Sequence, residues 1–180
     1  HVAARKHAAV AEFIRRRAAA GYPLAGPARM PEIWDEFAPV ELAAVLAESR
    51  WVADQLVEVA EALEVKLPGT KAALRDGIIT EAKAGIIARA VAVLNPEEAR
   101  AAEALVLGRA GWLTPAGLAA AIARAVMQVA PEKARKRREQ AAKQARVERW
   151  AEGSGNAGLA GRWSPGIFVD ISIMLLLVPN

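Results

Sequence analysis

Alanine fills 43 of the 180 positions, and no other feature restricts the fold of this chain so strongly. Alanine is the best helix former and adds little to a strand. Hydrophobic residues make up 54% of the chain and aromatics only 5%, so there is apolar surface for an ordinary core. The expectation is a mainly α fold: a compact multi-helix domain of about eight helices, with helix-turn-helix-like turns and a short C-terminal β-hairpin.

Helix punctuation supplies the element boundaries. Residues 2–20 read as a first helix closed by Gly21 in the left-handed capping position. The Pro- and Gly-rich residues 21–39 read as a connection pinned to the core by Trp34 and Phe37. Pro39 suits the first turn of a helix over 40–47. Ser49 caps a longer one over 50–66, with Trp51, Leu56, Val59 and Leu63 as its apolar stripe. Pro68 and Thr70 open a short helix that stops at Gly77, and Thr80 caps residues 81–94. Asn95, Pro96 and Glu98 spell a capping box for a helix ending at Gly111. Thr114-Pro115 starts another, with Leu118, Ile122, Val126 and Val129 on one side. Pro131 opens a highly charged helix to about Arg146. Glycines between residues 147–151 and 157–161 read as a hairpin turn.

Three stretches are expected: residues 1–150 as the helical domain, 151–162 as the rest of the hairpin, and 163–180 as an apolar tail. The longest apolar run, residues 167–178, has 12 residues and is too short for a membrane span of ~20. The basic residues Arg5, Lys6, Arg15, Arg16 and Arg17 break up any signal-peptide-like stretch at the N-terminus. The expectation is therefore a cytoplasmic protein with no membrane partner. A first residue of His1 rather than Met reads as a fragment or a processed chain.

The net charge of +4 hides a pattern. Residues 1–30 carry +5, residues 31–64 carry −8, and residues 131–150 carry +5 again. Two basic segments flanking an acidic block either neutralise one another within the fold or offer a surface to a polyanion.

Catalytic chemistry has little to work with. The chain has no cysteine and two histidines, His1 and His7, whose spacing does not place both on one helix face. No phosphate-cradling glycine loop and no Ser–His–Asp set occurs. Glu32, Asp35 and Glu36 form an acidic cluster with oxygen ligands suited to Mg²⁺, yet no base or phosphate-binding loop accompanies them, and they read as a solvated patch. The reading is a non-catalytic chain with no cofactor and no metal.

Two constellations bear on binding. Residues 41–53 have the pattern of a helix-turn-helix: a small Ala43 at the helix crossing, a tight turn, then Ser49 capping a second helix. On that helix Arg50 and Gln55 are the only base readers, among Asp54, Glu58, Glu61 and Glu64. The other constellation is the run Lys133, Arg135, Lys136, Arg137 and Arg138, followed by Lys143, Arg146 and Arg149. On a helix these cations leave only a thin alanine stripe, so the element is either solvated or set against phosphates. Arg15, Arg16 and Arg17 are expected to assist.

Several phrases taken in order resemble one family. They are Leu67-Pro68-Gly69-Thr70 with Leu74, then Gly77-Ile78-Ile79, Lys83-Ala84 and Ile86-Ile87-Ala88. Residues 103–111, Leu113-Thr114-Pro115 with Leu118, the basic stretch 133–149 and the hairpin with Trp150 follow. Over residues 2–162 the chain resembles the actinobacterial domain of unknown function 222. The resemblance implies an accessory or targeting region lying N-terminal to an HNH-type nuclease, with no nuclease residues in this chain; the basic stretch adds the expectation of a nucleic-acid partner, DNA before RNA, met at its phosphates. Residues 163–180 depart from the family pattern, which is the signature expected of a frameshift, a truncation or an artificial junction near Arg162. The alternative reading is a protein–protein module, the acidic residues 32–64 docking a basic partner or a second copy to give a homodimer.

Overall fold

Caps and prolines divide the chain much as its sequence suggests. The computed structural model describes residues 2–22, 30–31, 33–143, 146–151 and 157–162. It is mainly helical, with eight helices among the described residues. They are α1 (Val2–Arg15), α2 (Ala38–Leu46), α3 (Arg50–Val65), α4 (Pro68–Arg75), α5 (Glu81–Ala90), α6 (Pro96–Ala110), α7 (Pro115–Val129) and α8 (Pro131–Lys143). Two short strands, β1 (Arg146–Ala151) and β2 (Ala157–Arg162), run antiparallel with Arg149 opposite Leu159. The glycine-rich residues between them, and the apolar tail 163–180, lie outside the described residues. Among the described residues no helix is long and apolar enough to cross a membrane.

The chain forms two compact units, His1–Pro131 and Glu132–Asn180. In the first, α1 and α2 both pack on α3, α3 and α7 both pack on α5, and α6 pairs with α4 and α7. Alanine makes these approaches close. Ala11, Ala53, Ala84, Ala99, Ala102 and Ala110 are wholly buried, and side chains this small let packed helices come close. Around them sit the branched residues Ile14, Leu67, Ile87, Val91, Val106, Leu118 and Ile122, all fully buried.

The caps behave as read. Ser49, Thr80, Asn95 and Thr114 each accept a backbone N–H three residues on, and Asn95 with Glu98 completes a reciprocal capping box.

Three expectations need correcting. The first helix stops at Arg15, not residue 20, because tertiary backbone bonds outcompete it. Asp35 donates its N–H to the Arg17 carbonyl at 2.8 Å, Ala19 donates to Ile33 at 3.0 Å, and Ala18 bridges Trp34. Of the two aromatics expected to pin that connection, Trp34 packs against the core whereas Phe37 is 66% exposed. On α3 the buried residues are Ala53, Val57, Val59, Ala60, Ala62 and Leu63, so Val59 and Leu63 of the expected stripe lie in the core while Trp51 stands outside, 70% exposed. The small residues win because α1 and α2 both need to approach that face.

Candidate nucleic-acid interface

Helix α8 carries six basic residues, Lys133, Arg135, Lys136, Arg137, Arg138 and Lys143, against the two carboxylates Glu132 and Glu139. Both carboxylates face the same cation: Arg135 lies 3.0 Å from Glu132 and 3.7 Å from Glu139, one helical turn to either side. Lys136, Arg138 and Lys143 are exposed and have no ion-pair partner among the described residues. Seven residues separate Lys136 from Lys143, which is two turns and ~10 Å of helix rise. They lie about 200° and about 180° around from the buried Ala134, on the opposite side of the helix. The helix ends at Lys143, so Arg146 and Arg149 fall on β1 rather than continuing the basic helix.

The basic residues at the end of α1 have a different fate. Arg17 makes two hydrogen bonds to the Glu41 carboxylate, at 2.6 and 2.9 Å, with its guanidinium 4.8 Å above the Phe13 ring. That pairing holds the Glu41 carboxyl below its usual range. Arg15 bonds Glu12 and reaches Glu64 at 3.7 Å, and Arg16 takes the other Glu12 oxygen at 2.7 Å. Arg15 and Arg17 are thus drawn onto the acidic block, and the opposed charges of the first two segments meet inside one unit.

The α2–α3 corner is a tight turn between two packed helices. Residues 47–49 join the two helices, Ala47 adopts the left-handed conformation at φ 52° and ψ 38°, and the Val52 N–H donates to Ser49 Oγ at 3.3 Å. Arg50 and Gln55 lie on the first turns of α3, and each meets a carboxylate of its own helix. Arg50 is 3.9 Å from Asp54, and Gln55 donates to Glu58 at 3.3 Å. Further along, burial pushes the Glu61 carboxyl up against the pull of Lys66, with Glu58 adding to the rise.

Of the acidic cluster, Glu32 lies outside the described residues, and Asp35 accepts the Phe37 N–H at 2.9 Å to shape the entry to α2. Among the described residues no group of three or more His, Asp or Glu side chains is placed to hold a metal ion.

Two polar contacts that sequence reasoning passed over hold unit one together. The buried Glu103 of α6 accepts the N–H groups of Gly69 and Thr70 at the start of α4. Lys83 Nζ donates to the carbonyls of Ala110 and Gly111, at 2.9 and 2.7 Å, closing the end of α6. Both span 27 to 34 residues of sequence, so no local spacing signals them.

The model of one protein family, a domain of unknown function (DUF222), matches residues 1–165. No curated protein and no solved structure matches the chain.

Proposed function

Since the chain belongs to the DUF222 family, whose description carries no activity, we propose a function from its own residues: a non-catalytic module that binds nucleic-acid phosphates through α8. The observation that carries this reading is the excess of six cations over two carboxylates on that helix, with Lys136, Arg138 and Lys143 exposed and without an ion-pair partner among the described residues. Such a face has little to bury and favours condensed negative charge, and each cation set on a phosphate releases counterions. Contacts of this kind position without reading sequence. Duplex DNA is the preferred ligand, and the role is that of an accessory or targeting domain for an HNH-type endonuclease, in keeping with the family resemblance. β1 and β2 are read as one hairpin, which brings Arg146 and Arg149 in directly after the basic helix. Arg50 and Gln55 are secondary here, because Asp54 and Glu58 already engage them.

Fluorescence anisotropy with labelled duplex DNA and single-stranded RNA across a salt series tests this. Replacing Arg135, Lys136, Arg137 and Arg138 with Ala should flatten the log–log salt slope by about 3–4, at ~0.9 per phosphate contact. Absence of binding at ~50 mM salt would end the proposal.

A homodimer or protein-docking module is favoured by a separate observation. Phe37, Val45 and Trp51 are 66%, 75% and 70% exposed along α2 and the start of α3, beside the acidic residues of that helix. Apolar groups so displayed are commonly covered by a partner. Light scattering at low and high salt distinguishes the two readings: a salt-sensitive dimer supports this one, and a monomer at both salts removes the homodimer.

A further inference from the structure

A cavity of about 390 Å³ opens between α1, α3 and α4, well away from the basic helix in sequence and wholly within the first unit. Its apolar walls are Ala4 and Ala8 of α1, Leu63 of α3 and Leu74 of α4. Ala4 and Ala8 are one helical turn apart, so two small side chains stack on the same face and leave the space that larger ones would fill. Leu63 and Leu74 are 2% and 3% exposed and fixed by the core behind them. His7 closes one side, itself buried, with Nε2 held 3.1 Å from Glu81.

The rim is positively charged. Arg5, Lys71 and Arg75 line it against the single carboxylate of Glu64. Lys71 neutralises Glu64 at 2.7 Å, and Arg75 is turned to Asp76 at 2.8 Å. Arg5 is exposed and has no ion-pair partner among the described residues. Apolar walls ask for an apolar body and a net cationic mouth asks for an anion, and the volume is that of a small-molecule site.

We propose that this cavity binds a small organic anion with a compact apolar body, an aryl carboxylate or sulfonate in class, its charged group at Arg5 and its body between Leu63 and Leu74. Phosphate binding by α8 is independent of it.

The test is a fluorescence titration of the full chain with 8-anilinonaphthalene-1-sulfonate, which carries both features. Saturable binding at one site per chain is expected. Arg5→Ala should weaken it about fivefold, as for a solvent-exposed ion pair. Ala8→Phe, at an exposed position on the lip, should abolish it by filling the space. Replacing the four α8 residues with Ala should leave it unchanged, and inorganic sulfate at equal concentration should not compete. Unsaturable binding, equal affinity in Arg5→Ala, or competition by bare sulfate would each overturn the proposal. Should Ala8→Phe fail to fold, the Arg5→Ala and sulfate arms still decide it.

Discussion

Glu103 caps a helix from a different helix: its carboxylate, on α6, accepts the Thr70 N–H at 2.5 Å and the Gly69 N–H at 3.3 Å at the start of α4. Leu67, the residue in the capping position, offers no side-chain oxygen, so the first turn of α4 relies on this remote acceptor. Gly69 is needed for the approach. A Cβ there would lie 2.6 Å from the Leu107 side chain and 3.1 Å from the Glu103 carboxylate. The phrase Leu67-Pro68-Gly69-Thr70 thus docks against α6.

Glu103→Ala strands the Thr70 N–H in the core and leaves Gly69 without its acceptor. Each such group costs ~1–3 kcal/mol, so a clear fall in the denaturant midpoint is expected, with Glu103→Gln losing less because an acceptor oxygen remains. A midpoint for Glu103→Ala equal to the parent's would show that α4 needs no cap.

Thr70 itself points to the opposite kind of change. It is fully buried, and its hydroxyl has no hydrogen-bond partner among the described residues, while its backbone N–H is the group Glu103 uses. Thr70→Val keeps the shape and removes an unpaired polar atom, so stability should rise by about 1 kcal/mol. Thermal unfolding of the two proteins side by side checks this, and a lower melting temperature for Thr70→Val would reveal a hidden partner for the hydroxyl.

The junction of α1 with α5 makes stability depend on pH. Burial lowers the His7 pKa from its ordinary 6.5, outweighing the carboxylate of Glu81, with Lys6 adding to the fall and the Glu81 hydrogen bond opposing it. The folded state therefore favours neutral His7, and the unfolded chain binds the proton more readily. Stability from this group is complete above 6.5 and is lost as the pH drops below that value towards the folded pKa. Glu81 follows at lower pH. Burial pushes its carboxyl up, but Lys6 at 2.5 Å and then His7 hold it below the ordinary 4.5, so its contribution fades as the pH falls through that range. Urea unfolding across pH should show the first loss in the parent and not in His7→Gln.

How much of this was legible depends on the range of the interaction. Ser49, Thr80, Asn95 and Thr114 act within one turn, so their caps could be read from three-residue spacings. The stripe on α7 was legible too, with Leu118, Ile122 and Val126 all buried. Long-range terms were not. Glu103 reaches back more than thirty residues to Thr70, and Lys83 reaches forward to Ala110 and Gly111, with nothing local to announce either. The stripe on α3 was legible in part: Val59 and Leu63 are buried, whereas Trp51 is exposed and the buried alanines Ala53, Ala60 and Ala62, which any hydrophobic stripe undervalues, were passed over. For the candidate site, the cations of α8 stand out in composition alone. The commitment of Arg15 and Arg17 to Glu64 and Glu41 needed the fold to bring those segments together.

The α2–α3 corner offers the last test. Ala47 sits at φ 52°, the only non-glycine residue at positive φ among those described, and its N–H closes the helix by bonding the Ala43 and Ala44 carbonyls. An L-residue with a Cβ pays roughly 1 kcal/mol in that region, which glycine does not. Glycine gives some of this back through the greater freedom of the unfolded chain. Ala47→Gly should therefore stabilise the protein by about 0.5 kcal/mol. Ala47→Val, with a branched Cβ, should destabilise it by more than that. Denaturant midpoints for the pair measure both signs at once. If Ala47→Gly proved the weaker of the two, the left-handed corner between α2 and α3 would be wrong.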